Sequence, residues 1–157
     1  MRKILLVPSL CLAALCVVAL PATAAVPSFA SWASGWKAAS DRAINDALTP
    51  CQGSILTSQT KMGACAVRNM VGVITKARPV WDRQVDAVAQ GQNATCRAAI
   101  HRYWLTTRTQ QNADLAYLRA NPKASVGKLQ HDLTHEPFTT LNRTASSAAG
   151  RAITICR

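Results

Sequence analysis

The feature that most narrows what this chain can fold into lies near its end. Val126, Leu129, Leu133, Pro137, Leu141, Ala145, Ala148, Ala152 and Cys156 succeed one another in steps of three or four residues. That spacing keeps them all on one face of an α-helix. Pro137 lies on the stripe, so the pattern predicts a single return helix over residues 123–156, kinked near its middle where the ring removes a backbone donor. Its partner is the stretch from Asn93 to Ala120: Asn93 can cap it, Cys96, Ile100, Trp104, Leu115 and Leu118 form its stripe, and Asn121-Pro122 ends it. The two make a long helical hairpin whose open end brings Cys96 and Cys156 into one region. A straight pairing would carry Cys156 about nine residues, roughly 13 Å, past Cys96, so a bridge between them requires the return helix to bend back.

Upstream, Phe29, Trp32, Trp36, Ala39, Ala43 and Ala47 repeat at helical spacing, and Thr49-Pro50 stops that run. At such spacing the two tryptophans read as core rather than as a ligand platform. A second helix from about Thr57 to Lys76 places Met62, Ala66, Met70, Val73 and Ala77 on one face, weakened by Gly63 and Gly72. Pro79 is suited to open a shorter third helix carrying Trp81, Val85 and Val88 up to Gly91. With no long alternating β-branched run anywhere, the fold class expected is all-α: a small bundle of about five helices ending in the kinked hairpin and stapled by two disulfides.

The cysteine arithmetic depends on the first residues. Met1-Arg2-Lys3 is basic, the following residues to Leu20 are apolar apart from Pro8 and Ser9, and Pro21-Ala22-Thr23-Ala24 ends in small residues at the spacing signal peptidase reads. We expect residues 1–24 to be a cleaved secretory signal and residues 25–157 a single helical domain. Two of the 6 cysteines, Cys11 and Cys16, go with the signal, leaving Cys51, Cys65, Cys96 and Cys156. An even set in an exported chain favours two disulfides in an oxidising compartment, and no Cys-x-x-Cys pair suggests zinc. Three pairings are possible; the helical layout favours Cys51 with Cys65 and Cys96 with Cys156.

Maturation removes Arg2 and Lys3, so 16 of the 18 basic residues face 7 acidic ones, a balance of +9. Such a charge favours anionic partners. Outside the cytoplasm these are an anionic envelope component or an acidic protein before nucleic acid, and no later segment is apolar enough to span a membrane. The cations are dispersed singly, with no run of even three.

Residues Gln130 to Pro137, QHDLTHEP, hold two of the 3 histidines. His131 and His135 stand at i and i+4, which resembles the helical His-Glu-x-x-His arrangement of zinc hydrolases, with Asp132 where the general base stands. Helical phase turns both histidines away from the apolar stripe, so they are candidate metal ligands on an outer face. A hydrolytic zinc also needs a third protein ligand and an open position, and His101 falls about 10 Å away along the hairpin. Asp132 and Glu136 turn toward the partner helix, and the hairpin count sets Arg108 opposite His135 and Glu136, and Gln111 opposite Asp132. At that level the partner's stripe is polar, with Thr107 and Gln111 where apolar residues are expected. If the bundle has a pocket, it belongs there, lined by Thr107, Arg108, Gln111, Asp132 and Glu136, because a kink beside a polar layer leaves space between helices.

Two further resemblances are partial. His131-Asp132 is similar to the His-Asp pair of secreted phospholipases, whose calcium loop is missing here. Tyr117-Leu118-Arg119-Ala120-Asn121-Pro122 resembles the Tyr-Leu-x-x-x-Pro helical repeats of small exported haem carriers over about forty residues, without a matched haem ligand. It keeps haem among the possibilities, with Tyr103, Tyr117 and the histidines as ligand types. The function expected is a basic, non-catalytic interaction module, inhibitor-like or envelope-associated, secreted or periplasmic, with no cofactor. A carrier of haem or a metal ion such as zinc is the alternative, and a metal hydrolase of the His-Asp-x-x-His type ranks last.

Overall fold

Every described α-helix except the last begins on a residue whose side chain caps it. The computed structural model describes residues 27–54 and 58–157; the expected signal and its two cysteines lie outside them. Ser28 Oγ accepts from the Ser31 amide and opens α1, Phe29–Leu48, which runs into a 3₁₀ turn at Thr49–Ser54. Ser58 caps α2, Gln59–Gln90, and Asn93 Oδ1 accepts from the Cys96 amide at 2.9 Å to start α3, Ala94–Ala120. Ser125 caps α4, Val126–Leu133, and α5, Phe138–Ile155, follows the Thr134–Pro137 turn with no side-chain cap. The described residues are therefore all-α, with five α-helices and no strand.

Two boundaries differ from the sequence reading. The separate third helix expected at Pro79 is the second half of α2, which continues through the proline. Pro79 is exposed, whereas Met70, Ile74, Ala77, Trp81, Val85 and Val88 stay in phase on the buried face, so core packing outweighs one lost backbone hydrogen bond. The return arm, expected as one kinked helix, is broken into α4 and α5, with Pro137 exposed in the break rather than on the stripe. The break lets the two halves choose different partners. α5 lies along α3, and α4 packs on α2.

Gly63 makes the second of these contacts possible. A Cβ there would stand 2.0 Å from the carbonyl oxygen of Ala124, so the turn before α4 rests directly on the α2 backbone. With α4 diverted, the return arm no longer overshoots. Cys96 and Cys156 are bonded with Cα atoms 4.9 Å apart, and Cys51 is bonded to Cys65 with Cα atoms 5.6 Å apart. No described helix is long and apolar enough to cross a membrane.

The core comes in two parts. One gathers Phe29, Trp81, Val85, Ile100, Tyr103, Trp104 and Ala148. Around Phe29, Trp32, Trp36 and Trp104 the rings form a chain of contacts with centroids 5.9–6.3 Å apart, so Trp32 and Trp36 are core, as their spacing indicated. The other part gathers Ile44, Met70, Ile74, Leu115, Leu118 and Leu129. In α1 the inward positions of the second half are Ser40 and Ile44 rather than Ala39 and Ala43.

Candidate functional site

Between the two apolar clusters α3 carries a polar layer. Trp104 is the last residue of one cluster and Leu115 the first of the other; the inward positions between them are Thr107, Gln110, Gln111 and Asp114, all buried. Gln111 is 1% exposed and Asp114 3%. Thr107 Oγ1, both polar atoms of the Gln111 amide and Asp114 Oδ2 meet no hydrogen-bond partner among the described residues. A buried carboxylate without a partner resists ionisation, and burial raises the Asp114 carboxyl to about 7. On α1 the same level is occupied by Ser40, whose hydroxyl donates to the Trp36 carbonyl at 2.7 Å.

Arg108, expected opposite His135 and Glu136, points the other way. Its guanidinium is ion-paired with Asp82 of α2, whose Oδ1 also accepts from Trp104 Nε1 at 2.7 Å. Beside it Arg78 Nη2 donates to Asn112 Oδ1 at 2.6 Å. Burial, and then the neighbouring Arg108, lower the Arg78 pKa, with Asp82 opposing. These contacts seal the α2–α3 seam.

The QHDLTHEP segment is likewise taken up locally. Leu129 and Leu133 are buried, as the stripe requires. Asp132 Oδ2 accepts from Lys128 Nζ at 2.6 Å and from the Tyr117 hydroxyl at 2.7 Å, while His131 Nδ1 lies 3.1 Å from Oδ1; Gln111 is not among its partners. Hydrogen bonds from Lys128, Tyr117 and His131, in that order, hold the Asp132 carboxyl well below the usual range. For Tyr117, burial and then its bond to Asp132 push the phenol up. Glu136 accepts from Thr139 at 2.6 Å and Thr140 at 2.9 Å, which lowers its pKa and closes the first turn of α5. The pairing of Arg108 and Gln111 with this segment therefore does not form. The cause is the break at Thr134–Pro137, which removes α4 from the axis of α5.

His131 and His135 stack in the open, ring centroids 4.1 Å apart. His131 Nδ1 is turned to Asp132 and His135 Nδ1 lies 2.5 Å from the His131 carbonyl, which leaves Nε2 of each ring for any metal. Among the described residues no cluster of three or more metal-ligating side chains surrounds them. The pair alone offers two of the three protein ligands a hydrolytic zinc requires.

A cavity does lie at this level, with a different lining. About 70 Å³ in volume, it is bounded by Gln110 and Asp114 of α3, Leu133 and Thr134 at the end of α4, and Phe138, Thr139 and Asn142 of α5. It has room for a few water-sized groups and none for a porphyrin. Thr107, Arg108, Gln111, Asp132 and Glu136 are not among its walls. The polar gap in the α3 stripe was the readable signal; the shift of about one turn, to Gln110 and Asp114, follows from α5 rather than α4 facing this stretch of α3.

A second concavity is a groove of about 300 Å³ between the first half of α3 and the second half of α5. Ala98, Ala99, Ala148 and Ala152 form its floor, and Arg102 and Arg151 line it too. Neither arginine pairs with a carboxylate among the described residues. Ile155, 44% exposed, is part of its lining, and Leu105, 68% exposed, stands one turn beyond Arg102 on the same face of α3; these are the two large apolar side chains most open to solvent among the described residues. Alanines between single arginines, Ala98 exposed and Ala148 and Ala152 buried, leave no trace in a search for motifs. Comparison with known proteins returns no match: no family model, no curated protein and no solved structure is significantly similar to the chain.

Proposed function

We propose that this protein is an exported, non-catalytic binding module that takes an acidic helical segment of another protein into the α3–α5 groove. The observation that carries the reading is the groove itself, apolar and small-residue at its floor, with two guanidiniums that the described chain leaves without counter-charge. The small side chains of Ala98 and Ala99, exposed and partly exposed above the buried Ala148 and Ala152, would let a partner helix approach closely. Exposed Ile155 and Leu105 supply anchors at the two ends, separated along α3 from Thr95 to Leu105 by about 15 Å, or three helical turns. A volume of about 300 Å³ suits a few apolar side chains of an amphipathic helix, with its carboxylates meeting Arg102 and Arg151. The surplus of basic residues over the whole chain steers the same kind of partner inward. Two disulfides and a secretory-type leader fit an oxidising compartment as its place of action.

The test uses a synthetic amphipathic helical peptide with Leu at every third or fourth position and Glu between, labelled for fluorescence anisotropy. Wild-type protein should bind it with an affinity that falls steeply with salt. A Lys-for-Glu version of the peptide should not bind, and the double variant R102E/R151E should lose at least about tenfold, the scale of one lost charge-paired contact. Equal binding of both peptides, or unchanged binding by R102E/R151E, contradicts the reading. Binding to phosphatidylglycerol vesicles but not to the Glu peptide would assign the groove to a lipid surface instead and overturn the choice of partner.

A further inference from the structure

The cavity beside Asp114 has a chemical character of its own. Asp114, whose buried Oδ2 lacks any donor among the described residues, lines it beside the buried Gln110. The hydroxyls opposite have spent their protons elsewhere: Thr134 Oγ1 donates to the Gln130 carbonyl at 2.7 Å and Thr139 Oγ1 to Glu136 at 2.6 Å. Each of these oxygens keeps lone pairs with which to accept. The amides of Gln110 and Asn142 can each present a carbonyl oxygen, and Leu133 and Phe138 close the remaining sides. No lysine or arginine lines the space. His135, 3.3 Å from Thr134 Oγ1, and Glu136, the acceptor of Thr139, are titratable groups in contact with lining residues, and both stand outside the lining. The chain thus gathers oxygen acceptors around one buried anion and supplies no cation to it.

We propose that this cavity is a binding site for a small monovalent cation of the sodium class, held by the Asp114 carboxylate and by oxygens of Gln110, Thr134, Thr139 and Asn142. Hard cations choose oxygen ligands, and a single carboxylate balances a single positive charge, where a divalent ion would leave an uncompensated charge in the interior. The volume of about 70 Å³ holds such an ion with a few waters. Binding joins the end of α4, the start of α5 and the middle of α3, so the ion is a tie across the break at Thr134–Pro137.

Thermal unfolding at about pH 8.5, where Asp114 is ionised, tests this. Sodium chloride is compared with choline chloride at equal ionic strength. The wild type should melt about 3 °C or more higher in sodium, as expected for a site near saturation. D114N should melt at the same temperature in both salts. So should N142L, which fills the cavity from α5 while leaving the carboxylate in place, and which decides the matter if D114N does not fold. Equal melting temperatures of the wild type in sodium and choline overturn the proposal. So does a sodium effect that persists in either folded variant, because the ion then binds elsewhere.

Discussion

At the scale of single residues the most consequential group is Asp114. Its carboxyl is raised from its ordinary value of 3.8 to about 7 by burial. The folded protein therefore holds this proton more tightly than the unfolded chain does. The stability that follows is fully present below about pH 4 and is lost as pH rises through about 7, up to about 4 kcal/mol for a shift of this size. Asp132 and Glu136 act in the opposite sense, because hydrogen bonds to their carboxylates depress both. What they contribute is present above the ordinary carboxylate range and disappears as acid is added. Urea unfolding in choline buffers at about pH 4.5 and pH 7.5 separates the two. Wild type should lose stability over that interval, and D114N, which has no proton to release, should lose little or none. Parallel behaviour of the two proteins would remove the buried carboxylate from the account.

At the scale of elements the decisive contacts are where backbones meet and where cysteines close loops. G63A gains helix propensity, worth about 1 kcal/mol, but sets a methyl group 2.0 Å from the Ala124 carbonyl oxygen. Backbone cannot yield as a side-chain tip can, so we expect a net loss of about 1–3 kcal/mol in urea unfolding. A neutral or stabilised G63A would mean that α4 does not rest on α2 as described. The Cys96–Cys156 bond spans 60 residues and Cys51–Cys65 spans 14. From loop-closure entropy, C96A/C156A should lose about 4 kcal/mol and C51A/C65A about 3, in that order. Helices and the Asn93 cap were legible in the sequence because an N-cap residue and the three-and-four spacing are local signals, whereas the caps at Ser28, Ser58 and Ser125 were not read. Both prolines were misjudged for one reason: whether a proline interrupts a helix depends on what the flanking turns bury. Pro79 is carried through by Ala77 and Trp81, whereas at Pro137 α4 gains more from α2 than from staying in line with α5.

At the scale of the whole molecule, two apolar clusters are separated by a polar plane carried on α3 by the buried Thr107, Gln110, Gln111 and Asp114. The gap in the α3 stripe revealed that plane at the level of sequence, but its partners could not be counted off along a straight hairpin. A straight count assigns Arg108 to Glu136, whereas the broken arm gives Arg108 to Asp82 and Asp132 to Tyr117. The α3–α5 groove was hidden from sequence reading because alanines at Ala98 and Ala152 look like ordinary helix formers until two helices set them side by side. The same view separates the functions of the two concavities: one has the buried Asp114 in its wall, the other is lined by Arg102 and Arg151.

The central claim, that the α3–α5 groove is the binding surface, is tested most directly by amide chemical shifts of the ¹⁵N-labelled protein titrated with the Glu-bearing helical peptide. The account predicts perturbations confined to residues 95–105 and 148–155, and absent at His131 and His135. Shifts spread over the basic surface without focus, or centred on the 131–136 segment, would contradict it.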